Sequence, residues 1–357
     1  MNSTSPSPAP MAAALIAWHA HHGRHDLPWQ HEPTPYRVWV SEIMLQQTQV
    51  ATVIGYYERF MRRFPDLESL AAAPLDEVLH LWSGLGYYSR ARNLHRSAQR
   101  VISEHGGELP DEVDMLAELP GIGRSTAAAI VALAFGRRAS ILDGNVKRVL
   151  ARYFAIDGSP GDSVTERQLW RRAEQCTPQS EFAVYTQAIM DFGATLCTRR
   201  EPLCMHCPLR EDCAARRLGR VHELPAARVR RARPTRRVFM LLAVDSDGQV
   251  LLQRRPPQMP CGGLWTPPQF EHAEAAMRFC ATALGAAQLD PEPLPGLRHA
   301  FTHFELEITP LRARCQRALT VMEGGGTLWY NPREPARIGL PAPIAALLSS
   351  ESCSPEG

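Results

Sequence analysis

The sequence has almost no charge imbalance: 39 Lys+Arg stand against 37 Asp+Glu, a formal +2 over 357 residues. Bulk charge therefore recruits no polyanion, and any nucleic-acid contact must rest on local clustering. No apolar run approaches the ~20 residues that span a bilayer. The start, Ser3 to Pro10, is uncharged and Pro/Ser-rich, without the basic-then-apolar order of a secretion signal. Repeats of about 20 to 50 residues, the mark of solenoids and propellers, are also lacking. We expect a cytoplasmic protein without a membrane segment. Its nine cysteines do not read as disulfides, because an odd count without a secretion signal fits a reducing compartment.

What is present suffices for two domains, each with its own core. Residues 11–213 read as successive helices. Thr34-Pro35 supplies an N-cap and a first-position proline, and the apolar pattern runs on through Val40, Ile43, Met44 and Val50. Further helices are expected over 66–73, 75–82, 91–105 and 111–119, separated by Pro or Gly signals. From Asn145, the residues Val146, Val149, Leu150, Tyr153 and Phe154 recur at helical spacing. Residues 214–237 hold nine arginines, two prolines and one acid, Glu223, which is the composition of a linker with local positive charge. Beyond it, Val238–Val244, an Asp247-Gly248 turn and Val250–Leu252 read as a hairpin. Phe304, Leu306 and Ile308 alternate as another strand, while 273–284 and 343–348 look helical. The expectation is a multidomain chain: disordered tail 1–10, all-α domain 11–213, Arg-rich linker 214–237, α+β domain 238–348 and disordered tail 349–357.

Cys197, Cys204, Cys207 and Cys213 place four thiols within 17 residues. Four soft sulfur ligands suit a [4Fe–4S] cluster or a structural Zn²⁺, and spacing physics does not choose between them. The 6-2-5 spacing resembles the iron–sulfur loop of the endonuclease III and MutY families of DNA glycosylases. Leu119-Pro120-Gly121-Ile122-Gly123 joins two helices. Its glycines and the following helix N-terminus make a phosphate clamp that reads no base sequence, or else simply a tight connection.

Two acids stand out. Glu42 lies within Val38-Trp39-Val40-Ser41-Glu42-Ile43-Met44-Leu45, where burial raises a carboxyl pKa toward what a general acid needs. Asp143 precedes the helix that begins near Asn145. It is either a plain N-cap or a carboxylate facing the oxocarbenium character that develops when an N-glycosidic bond breaks.

The segments 41–50, 84–88, 121–126 and 142–147 closely resemble MutY in order and separation, and the resemblance runs from residue 11 to about 348. It implies an all-α helix-hairpin-helix glycosylase domain with a [4Fe–4S] loop, followed by an α+β Nudix-like domain. The implied activity is excision of adenine opposite 8-oxoguanine or guanine in duplex DNA. Glu42 would protonate the adenine, Asp143 would stabilise or trap the sugar cation, and Asn145 would assist. Leu27, Trp29, Gln30, Val50 and Gln187 would line the adenine pocket. Gln47 and Tyr87 would wedge into the base stack, with Thr48 and Leu85 against the lesion. Gly121 and Gly123 would clamp the backbone, and Lys147 would pair with a phosphate. Ser125 stands where endonuclease III-like relatives carry a Schiff-base lysine, so no strand cleavage is expected. The second domain offers only Glu271 and Glu274 where a Nudix hydrolase needs a Mg²⁺-binding glutamate cluster, so no nucleotide hydrolysis is expected. The family's lesion-reading Phe-Ser-His is here Phe301-Thr302-His303, with Thr302 and His303 implied as DNA contacts. His303 also reads as an ordinary sheet histidine.

Overall fold

The computed structural model describes residues 9–227, 233–256, 258–259, 261–284, 288–290, 292–301, 303–315 and 326–349. The chain separates into two compact units. One joins Met1–Ala72 to Arg96–Arg230, and the other joins Ala73–His95 to Arg231–Gly357. The sequence reading divided the chain at a single linker; the structure instead assigns residues 73–95 to the second unit.

The helices, in chain order, are α1 (Ala9–His22), α2 (Pro35–Leu45), α3 (Val50–Arg63), α4 (Leu67–Ala72), α5 (Leu75–Trp82), α6 (Ser89–Glu104), α7 (Val113–Ala117), α8 (Arg124–Phe135), α9 (Gly144–Tyr153), α10 (Ser163–Cys176), α11 (Phe182–Thr195), α12 (Ala214–Arg217), α13 (Ala273–Ala283) and α14 (Ala342–Ser349). None described is long and apolar enough to cross a membrane. In the first unit α8 and α11 form the centre. Ala127, Ala128, Ala129 and Ala132 are buried on α8, and their small side chains let α2 and α11 approach its backbone closely. Each large side chain buried in this unit, such as Trp39, Phe60 and Phe192, contributes about 1.5–3 kcal/mol by leaving water. Thr34 caps α2 as expected, its hydroxyl accepting from Arg37 N at 3.2 Å, with Pro35 in the first turn. The apolar pattern does not carry one helix to Val50, however. The chain breaks after Leu45, and Gln47 takes φ +57° before α3 begins.

The second unit is built on a mixed sheet of β1 (Thr235–Val244), β2 (Val250–Arg254), β3 (Trp265–Thr266), β4 (Gln269–Phe270), β5 (Gln288–Leu289), β6 (Leu297–Ala300), β7 (Glu305–Arg314) and β8 (Thr327–Tyr330). Its main path is β3-β2-β1-β7-β5. β1 and β7 pair in parallel from Thr235↔Glu305 to Val244↔Arg314, while β1 and β2 form the expected antiparallel hairpin through Val244↔Val250. Strand begins at Thr235, inside the stretch read as linker. Side chains alternate across β1. Met240, Leu242 and Val244 join a core with Ile344 and Leu347 of α14, whereas Leu241 and Ala243 join one with Ala276 and Cys280 of α13. Both faces are covered, and so the end of β1 reads as a continuous apolar run.

Residues 73–95 are fastened into this unit by polar bonds and by packing. Asp76 pairs with Arg254 and accepts from Trp265 Nε1 at 3.2 Å. Tyr88 OH donates to Leu340 O at 3.0 Å, and Arg92 donates to Gly262 O. A Cβ at Gly339 would stand 2.6 Å from Leu79 Cβ, so the close approach requires glycine there.

Candidate active site

One cavity of about 900 Å³ opens in the helical unit. Its wall gathers Glu42 from α2, Asp143 and Asn145 from the start of α9, Gln187 from α11, and Leu27, Trp29 and Val50 from the loops and helix around them. Gln47, Thr48, Gly123 and Ser125 stand on the same wall. Residues as far apart in sequence as Leu27 and Gln187 thus face one space.

The two acids differ in what surrounds them. Glu42 is raised from its ordinary 4.5 to about 8, by burial first and then by the nearby negative charge of Asp143. Burial also raises Asp143, but four neighbours oppose it: backbone N–H groups of Val146 and Asn145, and the cations Arg148 and Lys147. Asp143 is the side-chain N-cap of α9, with Oδ1 accepting from Val146 N at 2.7 Å. The cap and the cavity-facing carboxylate are therefore one group. A proton placed between these acids goes to Glu42, and the charge stays on Asp143.

The start of α9 is held from behind. Arg148 donates through Nη2 to Asn145 Oδ1 (2.9 Å) and Gly193 O (2.6 Å), and through Nε to Cys197 O (2.8 Å). Gly193 lies so close that an added Cβ would meet Asn145 Cβ at 2.7 Å. Ser125 Oγ accepts from Leu142 N at 2.9 Å, tying the first turn of α8 to the residue before Asp143. At the hairpin, Gly121 takes φ +81°. Gly123 precedes α8 with open space where a Cβ would be, which leaves backbone N–H groups accessible at a helix N-terminus.

Several expected residues stand elsewhere. Gln30 is absent from the cavity wall; its amide accepts from Leu27 N (3.1 Å) and donates to Arg24 O (2.9 Å), tying the loop over residues 24–30 together. Lys147 pairs with Glu166 of α10 at 2.7 Å, so a phosphate would have to compete with that carboxylate. Leu85 and Tyr87 belong to the second unit. Leu85 is buried within its turn, whereas Tyr87 is exposed at φ +48°. His303 is exposed, and Thr302 lies outside the described residues. Sequence reading missed Arg24, Arg148 and Asp191. Arg24 gives no sequence signal, but Asp191 does: it is an acid among Ala188, Ile189, Met190 and Phe192, the same anomaly that marked Glu42.

Cys197, Cys204, Cys207 and Cys213 line one small cavity with Arg152 and Val149. Arg152 donates from Nη1 to Thr198 O at 2.6 Å and lies 3.4 Å from Cys197 Sγ. Burial raises the thiols of Cys204, Cys207 and Cys213, and each is pushed further by the charge of its neighbours in the set. Four convergent, mutually repelling sulfurs are a donor set that a cation relieves. As they are placed here, no three of the described residues form a group that could hold a metal ion.

The second unit has a cleft of about 550 Å³ whose lining includes Arg236, Arg255, Phe301 and Phe304. Glu274 falls in the first turn of α13 and Glu271 just before it.

Comparisons with known proteins agree with this architecture. Residues 40–175 match the HhH-GPD superfamily of base excision DNA repair proteins, and residues 239–350 match the NUDIX domain. The chain is 36% identical to an adenine DNA glycosylase of Buchnera aphidicola subsp. Acyrthosiphon pisum, over 94% of this chain and 96% of that one. It is 44% identical to the adenine DNA glycosylase of Homo sapiens over 60% of this chain and 41% of that one. Among solved structures, a thermostable thymine-DNA glycosylase aligns with TM-score 0.54 and 30% identity, covering 58% of this chain and 96% of that one. A non-covalent endonuclease III–DNA complex aligns at TM-score 0.50 and 25% identity, with 59% and 95% covered.

Proposed function

The chain belongs to the adenine DNA glycosylase family, and we propose that it hydrolyses the N-glycosidic bond of adenine opposite 8-oxoguanine or guanine in duplex DNA, leaving an abasic site. The observation that carries this is the pair of acids on one cavity wall: Glu42, raised by burial to about 8, and Asp143, where backbone N–H groups and two cations oppose the same effect of burial.

Glu42, protonated near neutral pH, donates to N7 of an extruded adenine, and the base becomes a neutral leaving group. As the C1′–N9 bond lengthens, positive charge grows on the deoxyribose. Asp143, ionised and fixed by Val146 N, faces that charge and stabilises it or forms a transient bond to C1′. Asn145, held by Arg148, keeps the first turn of α9 in register. Water adds its hydroxyl to C1′ and returns its other proton to the carboxylate left on Glu42, while the proton that Glu42 gave leaves with the adenine. Leu27, Trp29 and Val50 give the base an apolar slot, and Gln187 supplies polar recognition. Ser125 provides no amine for a Schiff base, which supports a monofunctional enzyme without strand cleavage.

Duplex DNA is the partner. Gly121, Gly123 and the N-terminus of α8 hold its backbone, Gln47 and Tyr87 enter the stack, and Thr48, Thr302 and His303 contact the lesion strand. The two units correspond to a catalytic domain and a lesion-recognition domain. Cys197, Cys204, Cys207 and Cys213 would hold one [4Fe–4S] cluster, which when bound cross-links the loop that Arg148 and Arg152 fasten to α9. The enzyme acts as a monomer in the cytoplasm, at the nucleoid.

A duplex with a single A opposite 8-oxoguanine tests the reading. Strand scission only after hot alkali is the expected result. Scission without alkali would indicate a bifunctional lyase, and no scission in either arm would remove the enzyme reading altogether.

A further inference from the structure

The cavity wall has a buried support that the reaction does not touch. Asp191, on α11, is fully buried. It accepts from Arg24 N (2.8 Å), Arg24 Nε (2.8 Å) and Arg24 Nη2 (2.5 Å), and from Gln187 Nε2 (2.9 Å). His19 Nε2 lies 3.4 Å away, and burial lowers that imidazole's proton affinity. Arg24 and Gln187 both reach the cavity wall.

We propose that Asp191 is a positioning residue that sets the hydrogen-bond polarity of the base pocket, and thereby its preference for a 6-amino purine over a 6-oxo purine. The inference rests on the proposed adenine-excising activity. A carboxylate facing a guanidinium and a backbone N–H is an acceptor only. The amide of Gln187 must therefore turn its NH₂ toward Asp191 and leave its carbonyl Oε1 outward. Among the described residues no hydrogen bond reaches Oε1, and it is not sealed from solvent. Arg24 Nη1 likewise carries no protein hydrogen bond among the described residues, while its other donors grip Asp191. The pocket thus presents one acceptor and one fixed donor.

Adenine offers the complement, a 6-amino donor beside the N1 acceptor. Hypoxanthine and guanine offer the reverse, a 6-oxo acceptor beside an N1–H donor. A free glutamine could flip to suit either edge, and Asp191 removes that freedom. Selection by an unpaired or opposed polar group is far stronger than selection by shape. The location also fits a fixed device: a Cβ on Gly23, the residue before Arg24, would strike the His19 ring and backbone, so the loop delivering Arg24 is tightly seated.

The test compares single-turnover excision of adenine and of hypoxanthine from otherwise identical duplexes opposite 8-oxoguanine. In Asp191→Asn the side chain can donate as well as accept, Gln187 is free to flip, and the adenine-to-hypoxanthine rate ratio should fall by about tenfold or more. An equal loss on both bases, with the ratio kept, would reduce Asp191 to scaffolding and overturn the proposal. Gln187→Glu decides the matter if Asp191→Asn does not fold. A glutamate can donate to Asp191 only when protonated, so its adenine excision relative to wild type should fall steadily from about pH 5 to about pH 8. Arg24 and His19 facing Asp191 are common to both proteins; because Glu42 and Asp143 share the cavity with the added carboxylate, the same pH series is run on hypoxanthine and the ratio is taken between the two bases. A flat ratio would also overturn the proposal. If wild type excises no adenine, the functional reading fails, which is a different result from an unchanged ratio.

Discussion

At the residue scale, the site turns on a single difference of proton affinity. Glu42 is raised from 4.5 to about 8, so the folded protein holds a proton that the unfolded chain has released. The stability contributed by this neutral carboxyl is complete below about pH 4.5 and drains away as pH rises through about 8. Glu42→Gln should therefore raise the urea midpoint above pH 8, by on the order of 2 kcal/mol in stability, while lowering excision by about 10²–10⁴-fold. A wild-type rate that stayed level to pH 9.5 or so would contradict the acid role, since its fall should begin near pH 8. Asp143→Asn should retain duplex binding in a gel-shift titration and lose excision by a comparable factor. Glu42 was legible in sequence because its neighbours leave it no polar face, and Asp191 was legible on the same ground but went unread. Arg24 was not legible at all: it lies in a loop without periodicity, and its role depends on a partner 167 residues away.

At the element scale, α9 carries the chemistry in its first turn, and other elements carry α9. Asp143 read as either a cap or a catalytic carboxylate, and the structure makes it a cap whose side chain also faces the cavity. Gly193→Ala puts a methyl 2.7 Å from Asn145 Cβ, with that residue's backbone at 3.3 Å. The start of α9 must shift, so thermal unfolding should show a loss of about 1–3 kcal/mol, and excision should slow more than DNA binding weakens. Ser125→Ala deprives the part-buried Leu142 N–H of its acceptor. A cost of about 1–3 kcal/mol is expected in chemical denaturation, without any gain of strand cleavage. Helix positions were largely readable from caps and prolines. The break at Gln46–Gln49 showed only as a polar run within an apolar pattern, which suits a solvent face as well as a turn and does not announce the left-handed Gln47.

At the scale of the whole molecule, composition correctly indicated a helical first half and a sheet-based second half, and the hairpin and the strand through Leu306 and Ile308 followed from turn chemistry and alternation, though the parallel pairing of that strand with β1 did not. The assignment of residues 73–95 did not follow. They are helical like their neighbours, and the partners that claim them, Arg254, Trp265, Gly262 and Leu340, lie beyond the arginine-rich stretch. A protein ending near residue 226 should keep slow amide exchange across α2, α8, α9 and α11, yet exchange faster over 75–92 than the full chain does. Equal protection of 75–92 in both proteins would show that these contacts hold nothing in place.

The same interleaving bears on inheritance. A recombination event that joins two ancestral genes end to end gives each product a contiguous stretch of chain. Here the later half is completed by a loan from inside the earlier one. A graft that exchanges everything after residue 230 for a relative's sequence brings a foreign sheet to a native α5. It should work well only when Asp76, Leu79, Tyr88 and Arg92 are carried along with it.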